Sequence, residues 1–200
     1  MSSDQPANKG AVRQQLREAL ARLSATDIHN KSIAACLHVT QSPEFAAARS
    51  VMLYLSMAQE VETAPIALRA WQRGMTVVVP KVHWEGKRIL PVEINSLTSG
   101  ITTTGPGVRE PITGKPVPVD EIDLVVVPAL GFSQTGYRIG RGMGFYDRFL
   151  AQGDFTGLSC GLAFEEQVLP TLPVLDHDMP LSMLASDRCI RRFTTSCIGK

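Results

Sequence analysis

Apolar side chains recur at positions 12, 16, 19, 20 and 23 of the segment KGAVRQQLREALARL, residues 9–23. That spacing gathers them on one face of a helix. Ser24 or Thr26 can cap a second helix over roughly 27–38, and Ser42-Pro43-Glu44 opens a short third one with proline in the first turn. The period then changes. SVMLYLS, residues 50–56, is a continuous apolar run and reads as a buried strand. A helix is expected over 60–74, with Thr63 as N-cap, Pro65 in its first turn and Gly74 at its end. MTVVVP (75–80) and 88–94 read as two further strands, and 95–121 as a long irregular segment rich in Gly, Pro, Thr and Ser. LVVVP (124–128) is another buried strand. A Gly-rich turn over 131–144 leads into a helix over 145–152, then strands over 158–164 and 183–190.

Helix and strand signals alternate, which indicates an α/β class with a largely parallel sheet. Ligands of such sheets bind outside the carboxyl ends of strands. Two turns qualify, one after 50–56 and one after 124–128. The chain of 200 residues is read as one domain over 1–200, with N-terminal helices over 9–38 and the Gly-rich loop and its helix over 131–152.

Composition narrows the class. Apolar residues make up 44% and charged residues 20%, which excludes a disordered or fibrous chain. The net charge of +1 gives no support to a nucleic-acid partner or an acidic membrane surface. No apolar run reaches the ~20 residues that cross a bilayer. MSSDQPANKG has no apolar core of the kind a secretory signal carries. The cysteines at 36, 160, 189 and 197 form no CxxC pair, so inert thiols in a reducing compartment, the cytoplasm, are expected rather than disulfides or zinc.

The chemistry concentrates in GFSQTGYRIGRGMGFYDRFL, residues 131–150. Gly140, Gly142 and Gly144 alternate just before a helix, where backbone N–H groups can approach an anion. Arg138 and Arg141 bring positive charge, and Asp147 in the first helical turn can hold Mg²⁺ beside phosphate oxygens. A tight structural turn with Asp placed for the helix dipole explains the same residues. Walker and GxGxxG fingerprints do not fit: Tyr137-Arg138 stands where Lys-Ser/Thr is required, and position 145 is Phe. Lys9 and Arg13 share a helix face, either reaching a phosphate or simply solvated. Glu60 and Glu62 follow the first strand, where a carboxylate can hydrogen-bond a ring N–H or serve the next helix N-terminus. In Asp176-His177-Asp178 one metal ligand is more plausible than three. Trp71 fits a core position. No GxSxG, HExxH or kinase HRD pattern occurs.

Several segments in order resemble the 5-formyltetrahydrofolate cyclo-ligase family, also called 5,10-methenyltetrahydrofolate synthetases. They are Lys9-x-x-x-Arg13, YLSMAQEVET (54–63), Arg109-Glu110-Pro111, VVVPALGFSQTGYRIGRGMGFYDRFL (125–150) and GLAFEEQVLPTLPVLDHDMP (161–180). The resemblance implies a three-layer α/β/α sandwich with a mostly parallel, Rossmann-like central sheet. It implies ATP on Lys9, Arg13, Arg138, Ile139, Gly140, Arg141, Gly142, Met143, Gly144, Phe145 and Tyr146. It implies the folate near Leu55, Glu60, Arg141, Gly142, Met143, Gly144 and Phe145, and Mg²⁺ on Asp147 and Asp178. Arg141, nearest the transferring phosphoryl, and Glu60, anchoring the pterin, are the expected catalytic pair. Met143 stands where Gly or Lys is common in the family, and Phe145 where Tyr is common. The implied activity is ATP- and Mg-dependent closure of 5-formyltetrahydrofolate to 5,10-methenyltetrahydrofolate by a monomer. Two rivals share these features: a protein that binds nucleotide or folate without turnover, and a sugar-phosphate enzyme whose cradle holds a monophosphate.

Overall fold

Consecutive rather than alternating apolar positions in the strands mean that both sheet faces are covered. A computed structural model, which describes residues 8–104 and 107–193, shows this arrangement. In chain order the elements are α1 (Lys9–Leu20), α2 (Ala25–Thr40), α3 (Pro43–Ala47), β1 (Ser50–Met52), α4 (Ala64–Gln72), β2 (Thr76–His83), β3 (Arg88–Glu93), β4 (Ile101–Thr104) and β5 (Val108–Pro111). They continue with β6 (Leu124–Val127), β7 (Gly131–Ser133), β8 (Arg138–Ile139), α5 (Phe145–Leu150), β9 (Leu158–Ala163), β10 (Val168–Leu169), β11 (Met183–Ser186) and β12 (Ile190–Arg192). The central sheet has seven strands in the order β12-β11-β9-β6-β1-β2-β3. Its five inner strands are parallel, and β3 and β12 run antiparallel at the edges.

The two faces bury different residues of the same strands. Val51, Val77, Val79, Leu124 and Val126 pack with Leu16, Cys36, Phe45 and Ile66 from the first four helices. Met52, Val78, Val125 and Val127 pack on the other face with Phe132, Phe149 and Leu150. The result is a single-domain three-layer α/β/α sandwich. Ser24 closes a capping box with Asp27 at the start of α2, and Ser42 accepts from the Phe45 amide at the start of α3.

Several boundaries differ from the sequence expectations. The first strand ends at Met52, because Tyr54–Thr63 folds into a loop closed on itself: Tyr54 Oη and Ser56 Oγ both donate to Val61 O. Thr63 does not cap α4 with its side chain, and its hydroxyl donates to Tyr54 O at 2.7 Å. The irregular segment contains the β4–β5 hairpin, and the Gly-rich turn contains the β7–β8 hairpin. The strand expected over 183–190 is an antiparallel pair, β11 and β12. Trp71 is only partly buried, packed at the rim of the core.

At the amino ends of β1 and β6, Asp123 Oδ2 accepts from the amides of Arg49 at 2.7 Å and Ser50 at 3.1 Å. Ser50 Oγ returns a bond to Glu121 O and accepts from Asp123 N. This exchange fixes the register Val51↔Leu124. Cys36, Cys160 and Cys189 are unpaired, and Cys197 lies outside the described residues. Burial pushes the Cys36 and Cys160 thiols up to about 12, so they are unreactive. Among the described residues no helix is long and apolar enough to cross a membrane.

Asp123→Ala leaves two strand amides without their acceptor and should cost about 1–2 kcal/mol in urea denaturation; an unchanged midpoint would remove the pin. Edge strand β12 is held by Arg191 on Glu165 and Arg192 on Glu44. Burial works to raise the Glu165 pKa, but the Arg191 and Ser186 bonds and the Arg191 charge outweigh it, and it lies below the ordinary 4.5. A depressed carboxylate stabilises the fold above its unfolded value and loses that contribution as pH falls. The melting temperature should therefore drop as pH is lowered below about 4.5, and drop less in Arg191→Ala.

Candidate active site

The chain leaves β1 toward β2 on one side and β6 toward β9 on the other. Their carboxyl ends frame a cavity of about 400 Å³. Both turns singled out in the sequence open onto it.

Helix α1 crosses the Gly-rich loop, because Val12, Leu16 and Leu20 are buried and hold its polar face against residues 138–144. Arg13 Nε donates to Gly140 O at 2.9 Å, and Lys9 Nζ donates to Asp178 Oδ2 at 2.7 Å. The amide of Leu175 donates to that same oxygen at 2.7 Å. Burial tends to raise the Asp178 pKa, but the Lys9 bond, the Leu175 amide and the Lys9 charge win, and it lies below the usual carboxylate value. Asp178 is half-buried while Asp176 and His177 are exposed; His177 and Asp178 both line the cavity, with His177 Nε2 3.9 Å from Asp178 Oδ1.

Arg138 lines the cavity and is paired there. It lies on strand β8, its side chain is 5% exposed, and it binds Asp147 Oδ1 at 2.6 Å and Met179 O at 2.7 Å. The Met179 amide completes the ring with a 3.2 Å bond to Asp147 Oδ1. Burial pulls the Arg138 pKa down, with the Asp147 charge opposing it. Its guanidinium holds Asp147 in place at the edge of the cavity. Because Met179 follows Asp178, the ring also brings the two carboxylates to one end of the cavity.

These donors can be tested against Mg²⁺. Among the described residues no hydrogen bond reaches Asp147 Oδ2 or Asp178 Oδ1. There is no cluster of three or more His, Cys, Asp or Glu suited to a metal among them either. Two carboxylates with one open oxygen each suit a hard cation that takes its other ligands from water and phosphate, and do not make a zinc site. The residues fit Mg²⁺.

Glu60 sits in the closed loop after β1. Its Oε2 accepts from Met57 N at 3.0 Å, and its Oε1 accepts from Arg141 Nη2 at 3.3 Å. Leu55 lines the same wall. Gly142 and Gly144 have φ of 108° and 63°, which L side chains rarely adopt, and this turns the loop sharply into α5. Phe145 faces the cavity and meets Trp84 edge-to-face at 5.5 Å. Met143 is 47% exposed at the mouth.

Trp84 and Arg148 escaped the sequence reading, and Tyr146 and Arg109, which it named, gain a definite setting. Trp84 lies in a polar turn and carries no periodic signal. Arg148 donates to Met143 O and Lys87 O and stands over the Phe145 ring, tying the loop to the β2–β3 turn. The Tyr146 hydroxyl is buried beside the cavity with no hydrogen-bond partner, and burial followed by the Glu60 charge raises its pKa, so it remains a donor. Arg109 lines the cavity from the β4–β5 hairpin, a hairpin hidden in the low-complexity segment.

The family model of the 5-formyltetrahydrofolate cyclo-ligase family matches residues 5–186. The chain is 28% identical over 181 residues to the mouse 5-formyltetrahydrofolate cyclo-ligase, covering 86% of this chain and 89% of that protein. It is 27% identical over 173 residues to the Haemophilus influenzae 5-formyltetrahydrofolate cyclo-ligase, covering 85% and 92%. The structure of Aquifex aeolicus 5,10-methenyltetrahydrofolate synthetase superposes with a TM-score of 0.80 at 28% identity, covering 96% of each chain. The Mycoplasma pneumoniae 5,10-methenyltetrahydrofolate synthetase, at 22% identity and a TM-score of 0.71, shares the fold. With the family model spanning the sheet, both turns and the paired carboxylates, the chain belongs to the 5-formyltetrahydrofolate cyclo-ligase family.

Proposed function

We propose that this chain closes 5-formyltetrahydrofolate to 5,10-methenyltetrahydrofolate while splitting ATP to ADP and phosphate, as an Mg-dependent monomer of the cytoplasm. The observation that carries the reading is the Glu60–Arg141 contact. It joins residues 81 positions apart and places a carboxylate suited to a ring N–H next to a guanidinium suited to a phosphoryl group.

The chemistry needs the formyl oxygen to leave, and hydroxide is a poor leaving group. Attack of that oxygen on the γ-phosphorus breaks the bond to ADP and makes a phosphate ester. Nitrogen 10 then attacks the formyl carbon and sheds its proton, and phosphate departs with the oxygen. Such a reaction needs positioning and charge neutralisation rather than a protein nucleophile, which accords with the absence of any triad motif. Glu60 and Leu55 hold the pterin, with Phe145 as a flat apolar wall. Lys9, Arg13 and the amides of 139–146 take the polyphosphate, and Arg141 approaches the transferring group. Asp147 and Asp178 would hold Mg²⁺, which neutralises phosphate charge when bound. Arg138 keeps Asp147 in place.

Exposure separates the mobile charges from the fixed ones. Arg141 is 52% exposed, and its pair with Glu60 is of the kind worth about 0–1 kcal/mol, so a phosphate can recruit it. Removing one partner of a pair as buried as Arg138–Asp147 costs about 3–5 kcal/mol, so that pair stays closed.

Purified protein with 5-formyltetrahydrofolate, ATP and Mg²⁺ should generate the near-ultraviolet chromophore of the methenyl product, and generate none without ATP. Tight folate or nucleotide binding without turnover would reject the catalytic reading. Asp147→Asn keeps the shape and an acceptor for Arg138 while removing the charge. It should lower kcat at least about 100-fold in protein that keeps the wild-type far-ultraviolet circular dichroism at assay temperature, while the melting temperature falls because Arg138 loses its counter-charge; near-normal turnover at ordinary Mg²⁺ would take Asp147 out of the metal site. Size-exclusion chromatography at micromolar concentration should give the mass of a single chain.

A further inference from the structure

Most cations around the cavity already have a partner. Lys9 is paired with Asp178, Arg138 with Asp147 and Arg141 with Glu60, and Arg13 donates to Gly140 O. Arg109 differs. Among the described residues no carboxylate lies in ion-pair range of it, although it lines the same cavity. Its Nη2 donates to Leu97 O at 2.6 Å, which fixes the guanidinium against the wall and leaves Nε and Nη1 without an acceptor among the described residues. The neighbouring Glu110 cannot neutralise it. That carboxylate is 5% exposed and is occupied by Val82 N and Thr104 Oγ1, each at 3.0 Å.

The surroundings indicate what such a guanidinium meets. Glu60 accepts from Met57 N, and Met57 reaches the hairpin: a Cβ placed on Gly107 would stand 3.6 Å from Met57 Cε. The hairpin in turn is bonded to β2 through Glu110 and Val82. From Glu60 to Arg109 the wall is therefore one continuous surface, apolar at Met57, Val82, Trp84 and Val108. It suits a ligand with a hydrogen-bonding ring at one end, an apolar middle and an anion at the other end. The phosphates belong with the paired carboxylates around Lys9 and Asp147.

We infer that Arg109 receives a carboxylate of the glutamate arm of the folate substrate and so sets the preference for that arm. The assignment deepens the folate reading and rests on it. Nη2 keeps a second N–H, and beside the open Nε or Nη1 it still makes a two-pronged donor that suits a carboxylate.

The test is binding in the absence of ATP, by equilibrium dialysis. The probes are 5-formyltetrahydrofolate and its glutamate diamide, in which both carboxylates are neutral. Wild-type protein should bind the acid about tenfold tighter or more than the diamide. Arg109→Gln should bind the two equally, with diamide affinity as in wild type, and Arg109→Lys should keep part of the preference. Raising the salt concentration should shrink the wild-type preference. A wild type that does not distinguish acid from diamide overturns the assignment whatever the variants do. So does an Arg109→Gln protein that keeps the preference. If neither probe binds wild type, the folate reading itself fails.

Discussion

Strands β1 and β6 lie side by side, and the chain departs from them in opposite directions. No crossover connection can cover the space above their carboxyl ends, so the sheet opens there. Everything functional follows from this. The loop after β1 delivers Glu60, the loop after β6 delivers Arg141 and the glycines, and α5 starts at the rim with Asp147. The first four helices cover one face of the sheet, which brings Lys9 and Arg13 over the same opening. The Asp123–Ser50 exchange at the far ends of β1 and β6 keeps the two strands in register, and so keeps the two loops in register.

Within the opening, pairing of charges does two jobs. It keeps the ligand-free site from holding uncompensated buried charge, and it ranks the groups by how readily they are recruited. Arg138 and Asp147 form a buried scaffold closed through Met179. Arg141 is loosely held and accessible. Arg109 has no carboxylate in ion-pair range among the described residues. An anionic, elongated pair of substrates reads these differences as positions.

Much of this was legible in the residues. The apolar spacing of α1, the caps Ser24 and Ser42 and the valine runs are local signals, and each appears where its period placed it. The polar loop after β1 and the glycine alternation after β6 marked both lips of the cavity. What was not legible is non-local. The β4–β5 and β7–β8 hairpins are short strands paired by register rather than by pattern. Nothing in the sequence says that strand β8 buries Arg138 on Asp147. Arg148, Trp84 and Arg109 acquire meaning only when the β2–β3 turn, the β4–β5 hairpin and the Gly-rich loop are brought to one opening.

The central claim is that this opening turns the formyl oxygen into part of a phosphate. A heavy-oxygen label on the formyl group follows that atom directly. If the account is right, mass spectrometry finds one label in every inorganic phosphate released, in equal number with the methenyl product. Unlabelled phosphate, with the label passing to water or formate, would contradict it.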